Sequence, residues 1–221
     1  MSTEIILSDI AKQIADSALE TGAIKLRPNS PFTWASGYRM PVYNDNRLLL
    51  SLPKLRKLIA QGMREVISQS GLEPQLVAGT ATAGIPAATT LADLLDLPLV
   101  YVRAKPKDHG MQNLVEGKVA EGAVTILVED LLSTGGSAIN AVSALRAVGA
   151  EVRLCLAVFS YEFEEIEKKF ADINCGVRSL LGFAQLIEQA RVNNAISLSE
   201  YEMLYSWRAN PFHWADTVPK E

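Results

Sequence analysis

Apolar residues in this chain keep two rhythms, and the two alternate. Ile10, Ile14 and Ala18 share one helical face, with Ser8 as N-cap, Asp9 in the first turn and Gly22 as the stop, which predicts a first helix. Leu55, Leu58, Ile59, Met63, Val66 and Ile67 hold the i, i+3, i+4, i+7 spacing between Pro53 and Gly71 and predict a strongly amphipathic second one. Between helical segments stand short runs that are apolar or β-branched without alternation: Leu76 to Ala78, Leu99 to Val102, Val124 to Val128 and Val152 to Phe159. Such runs read as strands buried on both faces, the habit of a parallel sheet covered by helices. Further helices are expected from Ile85-Pro86 towards Pro98, from Ala138 to Val148 and from Glu162 to Phe170, with an outer strand from Cys175 to Leu181. A last helix spans Ser197 to Trp207, with Leu198, Tyr201, Leu204 and Tyr205 facing inward. Strand and helix in this order predict an α/β fold with a central, mostly parallel sheet and right-handed crossovers.

Two stretches keep neither rhythm. Residues 31–47, PFTWASGYRMPVYNDNR, are turn-rich and aromatic, unlike an ordinary helix or strand. Residues 104–117 have little apolar content and no clear period, which reads as a mobile loop.

Composition narrows the function classes. A length of 221 residues suits one α/β domain with a sizeable core, and a net charge of −4 argues against a nucleic-acid or membrane surface as main partner. Two cysteines and two histidines give no disulfide framework and no metal spacing. The N-terminal MSTEIILSDIAKQ lacks the basic start and apolar stretch of a signal peptide, and no segment could span a bilayer, so a reduced cytoplasm is expected.

The chemistry concentrates in residues 124–138, VTILVEDLLSTGGSA. The strand is followed at once by Glu129 and Asp130, then by the small polar turn Ser133-Thr134-Gly135-Gly136-Ser137, then by the helix. That layout presents free backbone N–H groups and a positive helix end to a phosphate. A nucleoside triphosphate loop would need a lysine after its second glycine, yet Ser137 follows Gly136; a dinucleotide loop would need G-x-G-x-x-G, and only Gly135-Gly136 is present. What fits is a ribose phosphate, whose 2′ and 3′ hydroxyls can donate to Glu129 and Asp130 while its 5′-phosphate sits on residues 133–137. Adjacent strand residues point to opposite faces, so both acids can meet one ribose only if the chain leaves regular strand geometry there.

These residues resemble the phosphoribosyl pyrophosphate (PRPP) binding motif of the type I phosphoribosyltransferases: apolar strand, two acids, two apolar residues, then T/S-x-G-G/T-T/S. Three other stretches extend the resemblance towards the orotate phosphoribosyltransferases. Residues 31–47 are similar to that family's F-T-x-x-S-G-x-x-x-P-x-Y substrate segment, and Arg103-Ala104-Lys105-Pro106-Lys107-Asp108-His109-Gly110 is similar to its flexible catalytic loop. Gly79 to Gly84 is a further loop at a strand's C-terminal end, where open α/β sheets bind ligands.

The resemblance implies transfer of the phosphoribosyl group from PRPP to orotate, giving orotidine 5′-monophosphate and pyrophosphate, with Mg²⁺ bound alongside PRPP rather than by a protein metal site. It also implies one domain over residues 1–221: a core about residues 60–180, and a small hood from the chain ends. PRPP would be held by Arg103, Lys105, Lys107, His109, Glu129, Asp130, Leu131, Leu132, Ser133, Thr134, Gly135, Gly136 and Ser137, with Lys107 and Asp130 catalytic. Ser133 falls where the family's loop touches orotate. Arg103 and Lys107 would be lent by the partner subunit of a homodimer.

The chain departs from the family pattern at three positions where many members carry a cation: Ala35, Ala83 and Tyr161. Arg39, in the substrate segment, is the replacement candidate for the orotate carboxylate. Two alternatives stay open on sequence: a phosphoribosyltransferase for another nucleobase, and a non-catalytic PRPP sensor, although residues 1–50 show no basic recognition helix.

Overall fold

The computed structural model describes residues 3–33, 38–105 and 114–214. In chain order, α1 (Thr3–Glu20) leads to β1 (Ile24–Leu26), β2 (Phe32–Thr33), β3 (Arg39–Met40) and β4 (Val42–Asn44), and a 3-10 turn (Asn46–Ser51) hands over to α2 (Pro53–Ser70). Strands and helices then alternate: β5 (Leu76–Thr80), α3 (Gly84–Leu95), β6 (Leu99–Val102), β7 (Val115–Glu116), β8 (Val124–Leu132), α4 (Gly136–Ala147), β9 (Glu151–Ser160), α5 (Glu165–Asp172) and β10 (Gly176–Gly182). They are followed by α6 (Phe183–Val192) and α7 (Leu198–Ala209).

The central sheet has the strand order β10-β9-β8-β5-β6-β7, and every neighbouring pair is parallel except β6 with β7. The unalternating runs behave as expected: β5 is buried at every position, and Ile126, Leu127 and Val128 of β8 are wholly buried. Leu55, Ile59, Met63 and Ile67 of α2 lie in the same core, and Gly71 ends that helix in the left-handed conformation at φ 69°. α3 packs on β5 and β8, α4 on β8 and β9, and α1 against α2, α6 and β10.

Several expectations need correction. α1 starts at Thr3, so Ser8 lies inside it rather than capping it, with Glu4 in the first turn at the helix's positive end. The segment 31–47 is not strandless: β1 pairs with β4 and β2 with β3, both antiparallel, in two short ribbons. Trp34 to Gly37, including Ala35, lies outside the described residues. The polar loop is shorter than residues 104–117, because Val115 and Glu116 pair with Val102 and Tyr101 and return the chain to the sheet. In α7 the inward face carries Leu204 and Trp207, whereas Leu198 is 63% and Tyr205 55% exposed. The cap sets this phase: Ser197 accepts from the Glu200 N–H while Glu200 reaches back to the Ser197 N–H. α6 adds to the elements expected, although Phe183, Leu186, Ile187 and Ala190 keep a helical spacing and are all buried.

The described N- and C-terminal parts meet. Trp207 Nε1–H donates to Met40 Sδ at 3.4 Å, Asn29 donates to Glu200 at 3.0 Å, and Tyr38 packs edge-on to Phe212. Among the described residues, no helix is long and apolar enough to cross a membrane.

Candidate active site

The singled-out loops come together because the sheet is parallel. β5, β6 and β8 lie next to one another and run the same way, so the loops after Thr80, Val102 and Leu132 open on one edge. α3 begins at Gly84 just after β5, and α4 at Gly136 just after β8. Neither helix has a side-chain N-cap, so first-turn N–H groups and two positive helix ends face this edge. Gly135 caps α4 at φ 78°, a conformation that favours glycine. Gly84 has a different reason: a Cβ there would stand 2.4 Å from Thr80 Oγ1 and 2.6 Å from the Val128 carbonyl, so only glycine lets α3 start this close to the two strands.

β8 does not stop at Val128. β9 accompanies it as far as Leu132, with Glu129 opposite Ala157, Leu131 opposite Phe159 and Leu132 opposite Ser160. The strand thus continues past both acids, and their environments divide. Glu129 is only 5% exposed. Its Oε1 accepts from the Thr80 hydroxyl at 2.6 Å and from the Asp130 N–H at 3.1 Å, and its Oε2 accepts from the Ser137 hydroxyl at 3.2 Å. The side chain folds back over the next peptide and ties β5, β8 and the first turn of α4 together. Asp130 is half-buried, and its carboxylate still acts on that of Glu129. Burial, then contact with and charge from Asp130, push Glu129 up to about 7 against the pull of the Thr80 hydrogen bond.

A carboxyl raised in the fold stabilises it while protonated. Its contribution is complete below the unfolded value of 4.5 and is lost as pH rises through about 7. Wild-type protein is thus expected to lose up to about 3 kcal/mol relative to Glu129→Gln between pH 4.5 and pH 8. Denaturant midpoints of both proteins across that range check this; parallel curves would mean that Glu129 keeps its ordinary carboxyl value in the fold.

Ser133 is half-buried and Thr134 exposed in the turn, while Leu131 is half-buried and Leu132 is in the core, so Leu132 can meet a ligand only through its backbone. Arg103 follows β6 at the same edge, is half-buried and pairs with Glu116, Nη1 to Oε1, at 3.3 Å. Lys105 is exposed; Lys107 and His109 lie outside the described residues. Lys169 of α5 reaches the turn without any motif to announce it: its Nζ donates to the Thr134 carbonyl at 3.4 Å and to Glu165 at 2.7 Å. Thr80 and Asn46, whose amide donates to the Asp130 carbonyl at 2.7 Å, are likewise additions to the sequence reading.

The family model of the phosphoribosyl transferase domain matches residues 47–177, which include the loops after Thr80, Val102 and Leu132. Orotate phosphoribosyltransferase of Listeria innocua is 45% identical over 205 residues, covering 93% of this chain and 98% of its own. The chain belongs to the orotate phosphoribosyltransferases. Among solved structures, orotate phosphoribosyltransferase from Aeropyrum pernix superposes with a TM-score of 0.72 at 30% identity, covering 81% of this chain and 98% of its own. The Mycobacterium tuberculosis enzyme in complex with PRPP does so with a TM-score of 0.63 at 25% identity, covering 80% and 98%.

In this chain the departures from the family pattern have distinct physical settings. Tyr161 is 1% exposed, packed against Phe159, Phe163, Phe183 and Trp207, and burial pushes its phenol up. The position belongs to an aromatic core and has no room for an arginine's charge. Ala83 is the N-cap of α3. Arg39 is half-buried on β3 and has no ion pair or side-chain hydrogen bond among the described residues. The same residues fit Mg²⁺ in one way only. Among the described residues no group of three or more metal-ligating side chains exists, and the two carboxylates offered, one of them protonated near neutrality, suit an ion that keeps most of its ligands from water and phosphate oxygens.

Proposed function

We propose that this chain transfers the 5-phosphoribosyl group of PRPP to orotate in pyrimidine biosynthesis, with the ribose at the end of β8. The observation that carries this is the juxtaposition of Glu129 and Asp130 with the turn that opens α4: hydroxyl acceptors at the end of β8 beside the N–H groups of a helix start that has no side-chain cap, with the Ser137 hydroxyl of that start bonded to Glu129. Asp130, the more accessible acid, accepts from the ribose hydroxyls; Glu129, already holding Thr80 and Ser137, fixes the strand end against the phosphate turn. N–H groups of residues 133–137 take the 5′-phosphate, and the Gly79–Gly84 loop takes the pyrophosphate. The orotate ring nitrogen forms its bond to the anomeric carbon as pyrophosphate leaves with the electron pair of the breaking C–O bond. Such a reaction asks for positioning and for neutralisation of the leaving group more than for proton transfer. When bound with PRPP, Mg²⁺ supplies positive charge to the pyrophosphate oxygens.

The cations act from the loop after β6. Arg103 exchanges Glu116 for pyrophosphate at small cost, since partly exposed ion pairs contribute about 1 kcal/mol or less. Arg103 and Lys107 come from the partner subunit of a homodimer, and the enzyme works in the cytoplasm. Incubation of the protein with PRPP, Mg²⁺ and a panel of bases tests the assignment: consumption of orotate with release of pyrophosphate is expected, and turnover of a purine or uracil in its place would assign another base.

For the orotate carboxylate, the substrate segment offers Arg39, a cation without an ion pair among the described residues. Arg39→Ala is expected to raise the orotate KM about tenfold or more and the PRPP KM far less, because a charge-assisted bond to one substrate is lost. Steady-state kinetics with each substrate varied checks it; an equal effect on both would place the carboxylate elsewhere, on the backbone N–H groups of residues 38–44.

A further inference from the structure

Asp130 sits where β8 has lost one of its two neighbours. β5 follows β8 only as far as the pair Gly79–Val128, whereas β9 continues to the pair Ser160–Leu132. On the vacated side a strand's polar groups need other partners, because a buried peptide left unpaired is costly. Side chains provide them. The Asp130 N–H donates to Glu129 Oε1 at 3.1 Å, and the Asp130 carbonyl accepts from Asn46 Nδ2 at 2.7 Å. The peptide that carries the ribose acid is therefore held by two side chains and not by a strand ladder on that side.

Asn46 is built for such a role. It is 7% exposed and opens the 3-10 turn that follows β4, fixed in sequence by Asp45, which caps that turn and binds Arg47 through both carboxylate oxygens. Its other amide atom, Oδ1, is buried without a protein partner. Asn46 and Asp130 line one small cavity with Ala83, Ala87 and Val158, of about 30 Å³. The contact spans 84 residues and joins the substrate segment to the ribose acid.

We infer that Asn46 is a positioning residue for PRPP, aiming the Asp130 carboxylate at the ribose through the Asp130 peptide; this rests on the ribose reading proposed above. The test is a double-mutant cycle on PRPP affinity, measured calorimetrically with Mg²⁺ on folded protein. If Asn46 acts only through the carboxylate, removing it matters only while the carboxylate is there. Asn46→Ala is expected to weaken PRPP about tenfold in the wild-type background and less than twofold in Asp130→Asn. Asn46→Asp gives a second readout, should the alanine variant fold poorly. Its neutral acid can donate to the Asp130 carbonyl and its carboxylate cannot, so PRPP affinity relative to wild type should recover as pH falls towards 5. Equal losses in both backgrounds, or no loss in a folded Asn46→Ala, or a pH-independent defect in Asn46→Asp, would overturn the inference. Unchanged affinity in Asp130→Asn itself would remove the ribose reading, and the inference with it; a loss there with none from Asn46 variants overturns the inference alone.

Discussion

Lys107→Ala is expected to lower the turnover number by roughly 10²–10³-fold while PRPP affinity changes only a few-fold. The asymmetry follows from where charge develops. Pyrophosphate gains negative charge as its bond to the anomeric carbon breaks, so a cation beside it is worth more in the transition state than in the ground state. It is also worth more when water is excluded: a unit charge pair at about 4 Å gives about 1 kcal/mol in bulk water and about 4 kcal/mol at an effective dielectric near 20. A loss of about 3–4 kcal/mol from the barrier is the stated range in rate. Single-turnover kinetics beside PRPP titration separates the two effects; comparable losses in both would make Lys107 a binding group only. Because the loop is proposed to act across a dimer, Lys107→Ala subunits mixed with Asp130→Asn subunits should regain activity. One site of each hybrid then carries both intact groups, and verified heterodimers without recovery would put Lys107 in its own subunit's site.

What was legible in the sequence was local. Val124 to Ala138 announces strand, acids, small polar turn and helix because each of those depends on neighbours within a few residues, and the structure has them in that order. The extent of β8 was not legible, since Leu131 and Leu132 stay in the strand only because β9 runs beside them. The division of labour between the acids was hidden for the same reason: Glu129 is claimed by Thr80, 49 residues away, and the Asp130 peptide by Asn46, 84 residues away. Arg103 reads as a free cation until Glu116 returns beside it on β7. Tyr161 reads as a missing charge, yet its surroundings come from α6 and α7, where Phe183 and Trp207 close an aromatic cluster around it. Helical spacing at Phe183, Leu186, Ile187 and Ala190 was present in the chain, and α6 could have been read from it.

Asp130→Asn is expected to weaken PRPP by about 1–3 kcal/mol, roughly ten- to a hundredfold, while leaving the fold intact. The amide keeps an acceptor of the same shape, so packing and the Asn46 bond to the backbone carbonyl are untouched. What is lost is the charge that makes a ribose hydroxyl's hydrogen bond strong. Glu129→Gln should weaken PRPP less, because the Thr80 and Ser137 hydroxyls and the Asp130 N–H already occupy that carboxylate and burial holds it partly neutral. Calorimetric titration of PRPP with Mg²⁺ into wild type, Asp130→Asn and Glu129→Gln is therefore the most direct test of the ribose site at the end of β8. A ten- to hundredfold loss in Asp130→Asn with a smaller one in Glu129→Gln is the expected result. Wild-type affinity in both variants would contradict it.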